Sequence, residues 1–299
     1  MWQPKGNMTW DYHLKSVPQN FSESIDVYDI DVLDASKDII DDLHEAGKKV
    51  ICYFSAGSYE DWRDDADKFN SVDLGEPLDG WKGERWLDIR SLNVRNIMTQ
   101  RIELAKSKNC DAIDPDNIDG YDNDNGFNLT ESDSIDFVKF LVKTGHSNGM
   151  SVGLKNGGSI VDDLVNDVDF SVQEQCVEYK ECDLYEEFID QGKTIFHIEY
   201  PKGDKSNSNP FTEKQIDKYC DSNMAKGFSS ILKNMNLDYL LVECSSKFSE
   251  ADVASSSDFI SISSPTTSKE DSESSSENKG LLNERNFVLT TLAFAASFI

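Results

Sequence analysis

Short apolar runs divide the chain between residues 1 and 249 at fairly regular intervals. Each run is too short for a typical helix and has the composition of a buried strand. The eight candidate strands cover residues 10–14, 27–33, 49–54, 112–113, 151–154, 168–172, 194–198 and 229–232.

Between the candidate strands, apolar residues recur with the period of an amphipathic helix. Thr130 followed by Asp133, and Thr212 followed by Gln215, have the spacing of helix N-terminal caps. The six candidate helices cover residues 36–46, 94–107, 132–148, 159–166, 184–191 and 212–226.

Candidate strands and helices therefore alternate along the chain, as they do in a parallel sheet. Eight such units in about 250 residues favour a closed (β/α)8 TIM barrel over an open doubly wound sheet. The sequence contains neither a GxGxxG motif nor a P-loop, either of which would support the open sheet. We therefore predict an α/β protein with a TIM-barrel domain at residues 1–248.

A serine-rich segment follows the predicted barrel. Serine occupies 14 of the 32 positions from 245 to 276. Such a composition cannot bury enough apolar surface to fold. We therefore predict a disordered, acidic Ser/Thr-rich linker at residues 249–286.

The chain ends in a hydrophobic tail, residues 287–299, which carries no charge. This tail is too short to span a membrane comfortably. Together with small residues near 274–276 and a polar spacer, it matches a glycosylphosphatidylinositol (GPI) attachment signal. A frayed amphipathic tail and a marginal anchor are the alternatives.

Cysteines and glycosylation sequons indicate a secretory protein. The six cysteines are an even number, and Asn-x-Ser/Thr sequons occur at Asn7, Asn20 and Asn128. No signal peptide is visible at the N-terminus. A cleaved signal peptide, a misassigned start codon or a cytoplasmic location would each explain this N-terminus. The C-terminal pattern favours the first two explanations. We expect an extracellular protein at the cell surface or cell wall, held by a GPI anchor.

The cysteines suggest three disulfides, although six cysteines allow fifteen pairings. One pair would brace the loop after the sixth strand, and a second would tie the last helix to the domain's end. The third pair follows by elimination. A zinc site is the alternative, but the spacings fit one poorly. The expected pairs are Cys176–Cys182, Cys220–Cys244 and Cys52–Cys110.

The charge balance excludes one class of partner. With 56 acidic and 29 basic residues, the chain carries a formal net charge of −27. It would repel the phosphates of a nucleic acid and attract a cationic partner. An acidic surface also serves solubility, so the charge by itself names no function. We expect a monomer with no nucleic-acid partner and no membrane contact beyond the lipid anchor.

Polar residues follow the candidate strands where each strand ends. In a TIM barrel the carboxyl ends of all strands meet at one mouth, where catalytic residues lie. Loops of an acidic protein explain one or two such residues, whereas polar groups at seven strand ends indicate a catalytic rim. They include Asp29, Asp31, Tyr53, Asp114, Asp116, Asn117, Asp119, Lys155, Glu174, Glu199 and Tyr200.

An ordered set of motifs covers essentially the whole segment from Trp2 to Cys244. The motifs are Asp29-Ile30-Asp31, residues 51–58, Trp62-Arg63, residues 81–90, residues 114–117, residues 153–156, Glu174-Gln175-Cys176 and Ile198-Glu199-Tyr200. The set resembles glycoside hydrolase family 114, the endo-α-1,4-polygalactosaminidases of fungi and bacteria. The resemblance implies a (β/α)8 barrel that cleaves chains of α-1,4-linked galactosamine. Such hydrolysis calls for neither a cofactor nor a metal.

Glycoside hydrolysis needs two carboxyl groups, one protonated as the acid and one ionised as the nucleophile or base. Asp116 and Glu174 match the family's catalytic carboxylates by position. We expect Asp116 to be the nucleophile or base and Glu174 the acid. Asp114 is the alternative to Asp116, and it points the same way only if Pro115 does not bulge the strand. Glu199 is the alternative to Glu174.

A galactosamine polymer with free amino groups is cationic, so carboxylates and aromatic rings are its expected ligands. The candidate substrate-binding residues are Asp29, Asp31, Asp114, Asp119 and Glu199, the aromatic residues Tyr53, Trp86 and Tyr200, and the strand-end residues Asn117 and Lys155. Two other functions fit the same barrel. One is carbohydrate binding without catalysis, and the other is transglycosylation, in which the cleaved sugar passes to another chain.

Overall fold

The computed structural model of the chain describes residues 1–15 and 21–244. The predicted linker and hydrophobic tail lie outside the described residues. The strands, in chain order, are β1 (Trp10–His13), β2 (Val27–Asp31), β3 (Lys49–Ser55), β4 (Ser58–Glu60), β5 (Leu74–Pro77), β6 (Glu84–Leu87), β7 (Ala112–Asp116), β8 (Ser151–Lys155), β9 (Phe170–Glu174), β10 (Ile195–Glu199), β11 (Ser229–Lys233) and β12 (Leu241–Glu243).

One curved sheet contains nine of these strands, in the order β1, β2, β3, β7, β8, β9, β10, β11 and β12. All neighbours are parallel except β12, which pairs antiparallel with β11. β1 and β11 approach each other where Trp10 Nε1 donates a 2.7 Å hydrogen bond to the Ser229 carbonyl. The eight parallel strands are those predicted from the sequence, and the predicted TIM barrel is confirmed.

The helices lie at the predicted positions, but some of them are shorter than predicted. The Thr130 side chain accepts a hydrogen bond from Asp133 N, and the Thr212 side chain accepts one from Gln215 N. The predicted helix at 159–166 divides into a 3₁₀ turn and a short helix, and the one predicted at 212–226 ends early. The helices are α1 (Lys37–Glu45), α2 (Leu92–Ser107), α3 (Glu131–Ser147), α4 (Val161–Leu164), α5 (Cys176–Tyr179), α6 (Glu186–Asp190) and α7 (Glu213–Cys220).

Side chains alternate between two sides of the barrel sheet. Inward side chains such as Trp10, Ile51, Phe170 and Phe196 are fully buried and form one apolar cluster. Outward side chains form a second cluster with the helices. The barrel interior is therefore a packed core and not a pore. Polar side chains collect above this core, toward the carboxyl ends of the strands.

A second sheet, antiparallel and in the order β4, β6, β5, is inserted between β3 and β7. The sequence analysis did not predict it, because its strands have only three or four residues each. Leu87 N donates a 2.9 Å hydrogen bond to the Gly57 carbonyl, which ties this sheet to the end of β3. The sheet also places the Trp86 ring against Gly120, in the loop after β7.

Disulfides brace three separate parts of the barrel. The pairs are those expected from the sequence, Cys52–Cys110, Cys176–Cys182 and Cys220–Cys244. Disulfides of this kind are typical of proteins that fold in oxidising compartments. Across the described residues, every helix is too short or too polar to cross a lipid bilayer.

Candidate active site

Three adjacent strands bring Asp116, Lys155 and Glu174 together at the barrel mouth. Lys155 ends β8, between Asp116 at the end of β7 and Glu174 at the end of β9. Lys155 Nζ lies 3.4 Å from Asp116 Oδ2 and 3.8 Å from Glu174 Oε2. These two carboxylate oxygens are therefore at most about 7 Å apart, a separation that suits a pair flanking a glycosidic bond.

Each of these three strands is followed directly by a residue with left-handed backbone conformation. The φ angles are 59° at Asn117, 48° at Asn156 and 62° at Gln175. Asparagine tolerates this conformation better than most residues. The sharp change of direction ends each strand directly after its functional side chain. As a result Asp116, Lys155 and Glu174 stand at the rim, and the following loops lead away from it.

Asp116 is held from two sides. Ala56 N and Gly57 N donate hydrogen bonds of 2.9 and 3.0 Å to its carbonyl, and Asn117 N donates one of 2.7 Å to its Oδ1. A Cβ atom at Gly57 would lie 1.7 Å from the Asn117 carbonyl oxygen, so only glycine permits this approach of the two backbones.

Pro115 does not bulge β7. Pro115 pairs with Phe54 and Asp116 with Ser55, in unbroken register with β3. Asp114 and Asp116 consequently point the same way, and Asp114 Oδ2 accepts a 3.2 Å hydrogen bond from Lys155 Nζ. Asp114 is fully buried, whereas the Asp116 side chain is 18% exposed. Of the two, only Asp116 is open to a substrate.

Glu174 has a donor on each carboxylate oxygen. Tyr200 Oη donates a 2.5 Å hydrogen bond to Oε1, and Asn156 Nδ2 donates one of 3.2 Å to Oε2. The Glu174 side chain remains 24% exposed. Its position is therefore fixed without closing it off from solvent.

The ammonium group of Lys155 is the central charge of the site. Its side chain is 1% exposed, and Nζ donates a 2.6 Å hydrogen bond to Tyr12 Oη. Burial alone would lower the pKa of Lys155, but Asp114, Asp116 and Glu174 raise it well above its ordinary value. Lys155 is therefore a permanent cation that balances the surrounding carboxylates, and it cannot serve as a base.

Two further carboxyl groups near Asp116 hold their protons more tightly than usual. Burial, opposed by Lys155 and assisted by Asp116, raises the pKa of Asp114 to about 7. Burial and the charge of Asp116 raise the pKa of Asp119 to about 7. Asp119 is half-buried, so it is the member of this pair that can reach a substrate.

Tyr12, Tyr53 and Tyr200 contact the charged residues, whereas Trp86 packs against Gly120 in the loop after β7. Tyr53 is half-buried, Trp86 is 6% exposed and Tyr200 is 8% exposed. Lys155 Nζ lies 5.2 Å from the centre of the Tyr53 ring and 4.9 Å from that of Tyr12, within the range of cation–π attraction. The rings therefore shield the buried cation, and only limited edges of them are open to a sugar.

Glu199 does not lie at the barrel mouth, contrary to our expectation. Its neighbours Ile198 and Tyr200 belong to the inward cluster, so alternation points Glu199 outward. It is 1% exposed, and its Oε1 accepts hydrogen bonds from Val177 N and His197 Nε2. Glu199 therefore braces the short helix that follows Glu174 and is neither a substrate ligand nor an alternative acid.

The expected substrate contacts of Asp29 and Asp31 also need correction. Asp29 is fully buried, one layer below the rim. Asp31 is 4% exposed and forms a 2.5 Å ion pair with Arg63, which also binds Glu60. Neither carboxylate is available to an ammonium group in solution.

Two site residues were missed by the sequence analysis, Tyr12 and Asn156. Both occupy positions that the predicted strands define, since Tyr12 lies two residues after Trp10 on the same face of β1 and Asn156 follows β8. Among the described residues, Cys176, His197 and Glu199 form a cluster with metal-ligand geometry. Cys176 is in a disulfide there and offers no thiolate.

Comparison with known proteins agrees with this geometry. The sequence model of glycoside-hydrolase family GH114 matches residues 1–249. A search among curated proteins finds no match. Among solved structures, Aspergillus fumigatus Ega3 in complex with galactosamine is 50% identical, with a TM-score of 0.80 over 81% of this chain and 97% of that one.

A second solved structure shares the fold at much lower identity. The glycoside hydrolase domain of PelA from Pseudomonas aeruginosa is 14% identical, with a TM-score of 0.60 over 78% of this chain and 97% of that domain. At this identity the likeness concerns the fold alone. The family match, together with the 50% identity to Ega3, shows that the chain is a glycoside hydrolase and belongs to family GH114.

Proposed function

We propose that this enzyme hydrolyses internal linkages of α-1,4-linked galactosamine polymers with Asp116 and Glu174. The observation that carries the proposal is the pair of partly exposed carboxylates on either side of Lys155 at the barrel mouth. The galactosamine in the Ega3 complex supports an amino sugar as the substrate unit.

The two carboxyl groups take different parts in the reaction. Asp116 accepts a backbone N–H and lies 3.4 Å from the Lys155 ammonium, contacts that suit the nucleophile or base. Glu174 is the acid that protonates the leaving oxygen. Its hydrogen bonds to Tyr200 and Asn156 hold the carboxyl group in place while the proton is transferred.

Negative charge at the mouth recruits the cationic substrate. The chain as a whole carries a net charge of −27, and Asp119, whose pKa is raised to about 7, adds a partly open carboxylate above that pH. An acidic cleft concentrates cations and holds an ammonium group at short range. Asn117, Tyr53, Trp86 and Tyr200 complete the proposed sugar-binding surface.

Product analysis with purified enzyme tests this proposal. We expect polygalactosamine to yield shorter oligomers, at a rate that falls several-fold between low and physiological salt. We expect the fully N-acetylated polymer to be cleaved more slowly and with little dependence on salt. Products longer than the starting chains would instead show transglycosylation, and binding without products would show a carbohydrate-binding protein. Equal rates on both polymers would contradict electrostatic recognition.

We further propose that the enzyme acts as a monomer outside the cell, attached by a C-terminal GPI anchor and glycosylated at its sequons. The three disulfides support an oxidising compartment. Asn7 and Asn128 are exposed, while Asn20 lies outside the described residues. Removing residues 287–299 should release the enzyme from membranes into the medium. A truncated enzyme that still fractionates with membranes would contradict the anchor.

A further inference from the structure

Asp29 is a buried carboxyl group that the proposed mechanism does not use. It lies inside the barrel on β2, is 0% exposed, and neither of its oxygens has a hydrogen-bond donor among the described residues. No Lys, Arg or His of the described chain forms an ion pair with it. An isolated carboxylate in such a place would be strongly unfavourable, because burial removes its hydration without compensation.

The partner of Asp29 is another carboxyl group. Asp29 lies within hydrogen-bond distance of Asp114. Asp114 Oδ2 accepts a hydrogen bond from Lys155 Nζ, whereas its buried Oδ1 has no donor. A proton on Asp29 would provide that donor, and it would remove the unpaired negative charge at the same time.

We propose that above neutral pH Asp29 is a neutral carboxylic acid that donates a hydrogen bond to ionised Asp114, and that it thereby positions Lys155 beneath Asp116 and Glu174. Asp29 is a positioning residue in this arrangement and does not touch the substrate. Asp114 accepts from Asp29 on one oxygen and from Lys155 on the other, which fixes the ammonium group between the two reactive carboxylates.

The charges around Asp29 favour this protonated state. The titratable groups that act on it are Tyr12 on β1, Asp114 and Asp116 on β7, and Lys155 on β8. Burial and then the charge of Asp114 raise the pKa of Asp29 well above its ordinary value, and Lys155 opposes them only in part. One ammonium group cannot balance all the carboxyl groups in this layer, so one of them keeps its proton.

The variant Asp29→Asn tests the protonation state through stability, without any substrate. A carboxyl group whose pKa is raised on folding stabilises the fold below its unfolded pKa of about 4 and loses that effect as pH rises toward the folded value. Asparagine keeps an N–H donor but has no proton to lose. Between about pH 4 and 8, the urea midpoint of Asp29→Asn should therefore rise relative to that of the wild type.

Asp11→Asn is the matched control. Asp11 is buried on the neighbouring strand, but it is ionised, and Lys233 Nζ donates a 2.6 Å hydrogen bond to it. Burial opposes the shift, yet Lys233 and His13 lower the pKa of Asp11. Its contribution to stability is therefore present above the unfolded pKa and lost on acidification. The urea midpoint of Asp11→Asn should therefore change relative to that of the wild type only below about pH 4. Between about pH 4 and 8 it should stay level, unlike that of Asp29→Asn.

Infrared spectroscopy of wild-type protein with ¹³C-labelled aspartate gives a second test that needs no variant. Near pH 9, above the pKa values of about 7 for Asp114 and Asp119, the carbonyl band of a protonated aspartic acid should persist. Its absence would overturn the proposal even if Asp29→Asn failed to fold. A relative urea midpoint of Asp29→Asn that stays level between about pH 4 and 8, as in the control, or that falls with pH would also overturn it.

The positioning role rests on the proposed function and is tested separately by kinetics on polygalactosamine. Asp29→Ala removes the donor to Asp114 and should lower kcat about tenfold or more, with KM little changed. Asp29→Asn restores a donor and should keep kcat within about threefold of the wild type. Equal losses in the two variants would overturn the positioning role. An inactive wild-type enzyme would count against the proposed function and leave the stability and infrared results intact.

Discussion

Replacing Asp116 with asparagine, or Glu174 with glutamine, is expected to lower kcat on polygalactosamine about a thousandfold or more. Asp116→Asn removes the negative charge that attacks or stabilises the oxocarbenium-like centre. Glu174→Gln removes the proton that the leaving oxygen needs. Both replacements keep the size of the side chain. The rate of reducing-end release by each purified variant gives the comparison.

The matched control is Asp122→Asn, an exposed aspartate in the loop that follows β7. It should retain kcat within about twofold. All three variants should keep the circular dichroism spectrum and the urea midpoint of the wild type to a good approximation. Turnover near that of the wild type in either Asp116→Asn or Glu174→Gln would contradict the assignment of that residue.

The same variants show which residue is the general acid and which is the nucleophile or base. An aryl glycoside of a galactosamine oligomer has a leaving group that departs without protonation. Such a substrate bypasses the general acid, so it should recover much of the lost rate with Glu174→Gln and little with Asp116→Asn. The opposite pattern of recovery would mean that Asp116 is the acid and Glu174 is the nucleophile or base.

The fold and the meeting of Asp116, Lys155 and Glu174 could be predicted because both depend on order along the chain, whereas the choice of Asp116 and Glu174 as the reactive pair came from the family resemblance and stays a prediction. Apolar runs that alternate with amphipathic segments specify a parallel barrel, and β7, β8 and β9 are consecutive in the sheet. Asp116, Lys155 and Glu174 follow the apolar parts of these three strands. The carboxyl ends of adjacent parallel strands must meet, so the residues come together without further information.

Which side of the sheet a residue faces was harder to predict. Glu199 and Tyr200 are adjacent in the sequence, but one braces the outside of the barrel and the other contacts Glu174. A shift of one residue in register exchanges the two faces. The depth of a side chain below the barrel mouth was equally hard to predict, because Asp29 and Asp31 share a strand face and look equivalent in the sequence. Only the barrel geometry shows that Asp29 lies below the rim.

The inserted sheet of β4, β5 and β6 shows a third limit. Its strands carry too few residues for a period of two to be recognised, and glycine and proline interrupt β5. The assignment of Trp86 to the sugar-binding surface stays a prediction. The sheet that carries this residue was not visible in the pattern of apolar residues.

Replacing Lys155 with methionine is expected to damage both stability and catalysis. The ammonium group is buried against Asp114, Asp116 and Glu174, so its loss leaves several carboxylates close together without a cation. Removing one partner of a buried ion pair typically costs about 3–5 kcal/mol. The pKa of Asp114, already raised to about 7, would rise further because the opposing effect of Lys155 is gone. We expect kcat per folded molecule to fall about a hundredfold or more.

Lys233→Met separates the catalytic effect from the structural one. Lys233 is also fully buried and ends the strand β11, but its ammonium group donates to Asp11 and forms no ion pair with Asp116 or Glu174. Urea denaturation should show a similar loss of stability in both lysine variants. Kinetics under conditions where each remains folded should show a large loss of kcat in Lys155→Met only. Equal kcat in the two would mean that Lys155 maintains the barrel and contributes nothing specific to the reacting carboxylates. A selective loss would instead show that the cation beneath Asp116 and Glu174 is part of the catalytic arrangement.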